Sequence, residues 1–252
     1  MKRIIAFILL ITMLVSVVVS FAYADEMETQ SNKVVCLGKN LAESHKDDML
    51  KSFGVDKDDE DLKIIEITID EEKEYLGRYI EPSVLGSRSI SSVYVELMEE
   101  GYGIDVDTQN ITWVTEYMIQ NALVTAGVKD AKVMVNAPFP VSGTAALTGV
   151  IKAFESATGE EIGEEEKDTA TAEIAITAEL GDSVGKVKAE ELITLVKTDV
   201  VDKNLKDETK IRKAIINAAK QLDIELTEEE IDSLVDLMKR ISNLNLDIDQ
   251  IK

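Results

Sequence analysis

The sequence predicts an α+β protein: a mixed-sheet α/β layer domain followed by a C-terminal helical bundle or helical cover. Three observations predict it. Between Lys33 and about Pro140, short β-branched runs alternate with helical patterns. After Pro140 the strand patterns cease. From there to Lys252 apolar residues recur at helical spacing.

Taken in order, Val34 to Leu37 reads as a strand and Ser44 to Phe53 as a helix stopped by Gly54. Leu62 to Ile69 reads as a strand with Ile65, Ile67 and Ile69 on one face, and Glu71 to Ile80 as a short helix closed off by Glu81-Pro82. Ser91 to Met98 and Ile104 to Ile111 flank Gly101-Tyr102-Gly103, which predicts a hairpin. Trp113 to Ala126 reads as a helix with Gly127 as its stop and Val128 as the apolar residue that follows such a stop. Lys132 to Ala137 is the last strand, ended by Pro138-Phe139-Pro140. Five helices follow over 142–157, 164–180, 189–204, 207–222 and 227–244. The last opens on Thr227-Glu228-Glu229-Glu230, a capping box, and continues with Ile231, Leu234, Leu237, Met238 and Ile241 on one stripe. The expected organisation is therefore 33–140 as the mixed α/β part and 141–252 as the helical part, packed closely because no low-complexity linker separates them.

Residues 1–24 read as a signal peptide. Lys2 and Arg3 form a basic start, an apolar run follows to Phe21, and Ala22-Tyr23-Ala24 is an A-x-A site predicting cleavage after Ala24. An uncleaved anchor is the competing reading of so long an apolar run. No later segment approaches that length, so the expected mature product is soluble, extracellular or cell-wall associated, and has no membrane partner. Asp25 to Asn32 is expected to fray.

Loss of Lys2 and Arg3 leaves 25 of the 27 cations against 49 carboxylates, a net charge of −24. Such a surface excludes nucleic acid and favours cations and basic partners. The single cysteine, Cys36, rules out an internal disulfide, and its position twelve residues past Ala24 is wrong for a lipidated first residue.

Histidine chemistry has one possible carrier, His45, which lies in the charged helix start Glu43-Ser44-His45-Lys46 and reads as an exposed helix residue. Zinc sites of histidine and cysteine lack ligands. Ser183-Val184-Gly185-Lys186 matches S-x-x-K without companion motifs and reads as an inter-helix loop. Asp105, Asp107 and Glu116 half-match a calcium loop, although Asn110 stands where glycine belongs; calcium is the one cofactor the sequence suggests. Residues 89–128 carry no Lys or Arg, so a cation or basic partner would be drawn there.

Arg88 lies in Gly86-Ser87-Arg88-Ser89-Ile90-Ser91-Ser92, where hydroxyls surround a guanidinium suited to carboxylate, phosphate or sugar ligands. Pro140-Val141-Ser142-Gly143-Thr144 opens a helix whose N-terminus offers N–H groups to an anion. The competing reading is that Ser142 caps that helix and that small residues let it lie close to the sheet. Ser87, Arg88, Ser91, Ser142, Gly143 and Thr144 are thus the candidate binding residues.

Several blocks resemble the YpuA-like proteins. They are Tyr75-Leu76-Gly77-Arg78-Tyr79-Ile80, the Gly86 to Ser92 segment, Asn110-Ile111-Thr112, Asn121 to Val133, Ala137-Pro138-Phe139, and Val141 to Gly149. The likeness covers about Lys33 to Leu244. It implies a secreted protein of Gram-positive bacteria at the cell envelope, with a domain of unknown function, and supplies no catalytic residues. The expectation is a non-enzymatic binding or interaction protein whose partner is an envelope component or a protein. The alternatives are an envelope hydrolase working through a carboxylate pair, with Glu96, Glu99 and Glu116 as first guesses, and a divalent-cation-dependent adhesin.

Overall fold

The computed structural model describes residues 31–246; the expected signal peptide, most of the expected frayed segment and the last six residues lie outside them. Five strands form one mixed sheet: β1 (Lys33–Gly38), β2 (Leu62–Ile67), β3 (Ser92–Leu97), β4 (Ile104–Ile111) and β5 (Ala131–Val141), in the order β2-β1-β3-β5-β4. β1 runs parallel to β2, and β4 parallel to β5. The central β3 is antiparallel to both β1 and β5, with Val34 opposite Val95 and Val95 opposite Val133.

Two helices fill the crossovers and lie on opposite faces. α1 (Glu43–Phe53) brings Met49, Leu50 and Phe53 against Val35, Leu37 and Tyr94. On the other face Val34, Cys36, Val93, Val95, Val133 and Val135 meet α4 (Glu116–Thr125) and α5 (Ala145–Thr158). The period of two within each strand divides these sets. Between them in sequence lie α2 (Ile69–Leu76) and the single turn α3 (Pro82–Leu85). Then come α6 (Glu164–Val184), α7 (Lys186–Asp202), α8 (Glu208–Gln221) and α9 (Glu228–Ile241), with their own core of residues such as Leu192, Ile215 and Leu237. The described residues form one compact unit, since Ala170, Ile174 and Ala178 of α6 join the core built on the sheet. None of the described helices is long and apolar enough to cross a membrane.

The expected hairpin is absent. β3 and β4 do not pair, because β5 enters between them. What holds the turn open is Asp130: its carboxylate accepts from the N–H groups of Gly101 and Gly103 at 3.0 and 2.8 Å, and its carbonyl from Met98 at 2.7 Å. The two glycines, at φ 92° and 81°, therefore shape a wide turn around a third strand's entry, not a tight one between neighbours. β2 stops at Ile67, since Thr68 caps α2 in a reciprocal box with Glu71 and Ile69 turns into the helix. Glycine and threonine stops also place α4: Thr115 accepts from Met118 N–H, so Trp113 and Val114 precede the helix, while Gly127 at φ 79° and a buried Val128 end it as the sequence implies.

β5 continues past the two prolines to Val141. Asn136 pairs with Gln109 and Val141 with Ile111, so Ala137 to Pro140 bulge out opposite the single residue Asn110. Prolines are tolerated because the bulged backbone has no ladder partner to donate to. The bulge pushes Phe139 outward, where it is exposed.

Candidate functional site

The bulge, the start of α5 and the loop after α3 line an open cavity of about 230 Å³. Its lining includes all six candidate binding residues: Ser87, Arg88 and Ser91 from the loop, and Ser142, Gly143 and Thr144 from the α5 approach. Local chemistry fixes both segments. Asn40, just after β1, clamps the loop, its N–H donating to Ser89 O at 3.0 Å and its Oδ1 accepting from Ser89 N–H at 2.9 Å. Gly143 sits at φ 88°, and a Cβ there would collide with Ile111 Cγ2, so this approach can close over β4 only with glycine. At Gly149 a Cβ would meet Val93 Cγ2 at 3.0 Å, which shows that small residues do seat α5 close to the sheet. Thr144 does not cap α5 with its side chain; Ser142 instead offers its carbonyl to Trp113 and Val114.

The cavity also contains a residue the sequence reading overlooked. Glu72 of α2 is 1% exposed and forms part of the lining. Its Oε2 accepts from Thr144 Oγ1 at 3.3 Å, while Oε1 has no hydrogen-bond partner among the described residues. The Ser89 hydroxyl stands nearby, fully buried and also without a bond of good geometry. Burial pushes the Glu72 carboxyl up to about 7, with the Ser89 and Thr144 hydroxyls pulling weakly the other way. Nearby cations are committed elsewhere. Lys152 of α5 holds Glu71 and the Glu66 carbonyl, Lys167 of α6 holds Glu155 and Glu164, and Arg78 pairs with Asp168. The signal for Glu72 was present: Ile69, Glu72 and Leu76 share one helical face, so an acid interrupts a core stripe. It was hidden among Asp70, Glu71 and Glu74.

Arg88 is exposed at the rim, and among the described residues it makes no hydrogen bond or ion pair. Phe139 completes the mouth, its ring meeting the half-buried His45 imidazole edge-on at a centroid distance of 6.2 Å. The only histidine therefore touches the entrance from α1 without lining the cavity.

The other candidate residues lie apart. Asp105 and Asp107 are exposed on edge strand β4, and Glu116 accepts from the N–H and hydroxyl of Thr108 at 3.0 and 3.2 Å. They do not converge, and among the described residues no group of three His, Cys, Asp or Glu side chains is placed to hold a metal ion. Glu96 accepts from the Tyr94 hydroxyl at 3.0 Å, and Glu99 is exposed in the β3–β4 turn. Ser183 and Lys186 point to different partners, the serine to Glu230 at 2.8 Å and the lysine to the Thr112 carbonyl at 2.6 Å.

Comparison with known proteins agrees with the extent of this fold. A family profile described as "Protein of unknown function (DUF1002)" matches residues 37–252. The chain is 42% identical over 219 residues to "Uncharacterized protein YpuA" of Bacillus subtilis (strain 168), covering 86% of this chain and 74% of that protein. No solved structure matches. With the profile spanning the sheet, the cavity and the helical layer together, the chain belongs to the DUF1002 family.

Proposed function

We propose that this is an exported, cell-envelope-associated binding protein that captures a small polar ligand in the cavity between Glu72 and Arg88 and carries out no reaction on it. One observation carries the reading: Glu72, whose buried carboxyl has one oxygen without a partner among the described residues, lines a cavity whose rim presents an unpaired guanidinium and several hydroxyls. A buried polar group left unmatched costs free energy, and a ligand that supplies the missing bond recovers it. The volume suits a ligand smaller than a typical drug-sized molecule.

Export is supported by the sequence pattern of residues 1–24. A carboxylate-pair hydrolase has less support, because Glu72 is the only carboxylate among the described lining residues. A cation-dependent adhesin has less support because Asp105, Asp107 and Glu116 stand apart.

Native mass spectrometry tests the reading. The mature protein, incubated with the low-molecular-weight fraction of an envelope extract, should retain a small molecule that Arg88→Ala loses. Retention unaffected by the substitution, or none, refutes the site. N-terminal sequencing of protein recovered outside the cytoplasm should begin at Asp25; a product that stays inside with its first residues intact refutes export.

A further inference from the structure

The cavity has two unlike poles. Its floor holds the Glu72 carboxyl, 1% exposed, with Oε1 unmatched and no cation against it among the described residues. Its rim holds Arg88, the only basic residue among the described lining residues, in a protein whose carboxylates outnumber its cations 49 to 27. An arginine left unpaired amid such an excess of acid stands where local geometry keeps the protein's own carboxylates away. The lining holds no second carboxylate to satisfy it.

We infer that the ligand is a small zwitterion, an amino acid or a very short peptide, whose ammonium meets Glu72 on the floor and whose carboxylate meets Arg88 at the rim. This rests on the binding reading above and narrows it. An ammonium brings both the charge and the donors that Oε1 lacks, and beside a carboxyl as deeply buried as that of Glu72 such a charge-assisted bond is among the stronger ones available. A neutral hydroxyl would satisfy the hydrogen bond and leave the buried charge uncompensated. At the other pole a carboxylate fits a guanidinium side by side through two bonds. A dianionic phosphate would face one guanidinium and a strongly negative protein, so the monoanion is the better match. Ser91 and Thr144 supply hydroxyls between the poles, while Val84, Leu85, Ile90, Val141 and Ala145 form a wall for a small apolar side chain. The N-terminal end of α5 lies at Thr144 and favours the ionised form of Glu72 that an ammonium requires.

The probes are the twenty amino acids, D-alanine and alanyl-alanine, set beside single-pole compounds, ethylamine and propionate, and a neutral one, glucose. Binding to the mature protein is read by backbone amide shifts of 86–91 and 141–145 together with calorimetry. At least one zwitterion should move both segments, with affinity at least 10-fold above either single-pole compound. Glu72→Gln should lower that affinity at least 10-fold and leave propionate unchanged; Arg88→Gln should lower it comparably and leave ethylamine unchanged. Glu72→Gln keeps the side chain's shape, and a preserved amide spectrum away from the cavity shows that the variant is folded. If glucose or a single-pole compound binds as tightly as every zwitterion, the ligand class is wrong while the cavity remains a binding site. If no zwitterion moves either segment at 10-fold above the protein concentration or at about 10 mM, the inference is overturned; the broader reading then falls only if envelope extract also leaves no Arg88-dependent ligand.

Discussion

Glu72 makes the protein's stability depend on pH in a direction opposite to that of most carboxylates. Burial raises its carboxyl from the ordinary 4.5 to about 7, so the folded protein keeps a proton that the unfolded chain has already lost. Between those two values the unfolded state binds fewer protons than the native one, and stability falls as pH rises. Below the lower value nothing is lost; above the higher one the full cost applies, on the order of 3 kcal/mol. Glu72→Gln removes this titration. Urea midpoints should show the variant more stable than wild type by about 2–3 kcal/mol at pH 8, with the gain vanishing near pH 4.5. A constant difference across that range would mean that the carboxyl is not held in the state described. A residue that weakens the fold at neutral pH and lies in a cavity fits a functional group better than a structural one.

Among the elements, α6 and α7 are joined to α4 by a fully buried ion pair. Lys197 Nζ donates to Glu173 Oε1 and Oε2 at 2.9 and 3.1 Å and to the Asn121 carbonyl at 2.8 Å, which uses all three of its protons. Thr125 donates to the same carboxylate. Burial lowers the lysine's pKa, and the adjacent carboxylate opposes that shift. Lys197→Met strands the Glu173 charge and should cost about 3–5 kcal/mol in denaturant unfolding. Adding Glu173→Gln should restore a large part of that loss, because no bare charge remains; an additive double variant would refute the coupling. Legibility in the sequence follows the same division between local and distant causes. The strands and longer helices, the Thr227 box and the Gly127 stop depend on neighbours in the chain and are legible in it, although the ends of β2, α4 and β5 shift and the single turn α3 is not foreseen. The sheet order does not: Gly101 and Gly103 look the same whether the next strand pairs at once or leaves a gap for β5. The loop residues were readable as hydroxyls around an arginine. Glu72 and the Lys197 pair were not, since an acid or a lysine on a helix is ordinarily solvated and only packing distinguishes the buried ones.

On the scale of the whole molecule, the sheet and the later helices depend on each other. α5 covers β1 and β3 with Ala146, Leu147, Val150 and Ala153, all essentially inaccessible to water. A polar cluster locks the far side: the Tyr79 hydroxyl donates to Asp168 Oδ2 at 2.7 Å, Arg240 of α9 donates to both, and Arg78 pairs with the same aspartate. Residues 33–140 produced alone would expose the apolar face that α5 covers. They should show no cooperative thermal transition by circular dichroism, whereas 25–252 should show one. A sharp transition in the shorter fragment would prove the sheet self-sufficient.

Cys36 lies against α5 with no access to solvent, its thiol pushed up to about 12 by burial. In an oxidising milieu a lone sulfur on the surface would couple two chains; sealed between layers and kept protonated, it is inert for as long as the layers stay together. Any reagent that modifies this atom has thereby recorded a separation of helix from sheet, so the molecule carries its own clock for how often its interior comes apart.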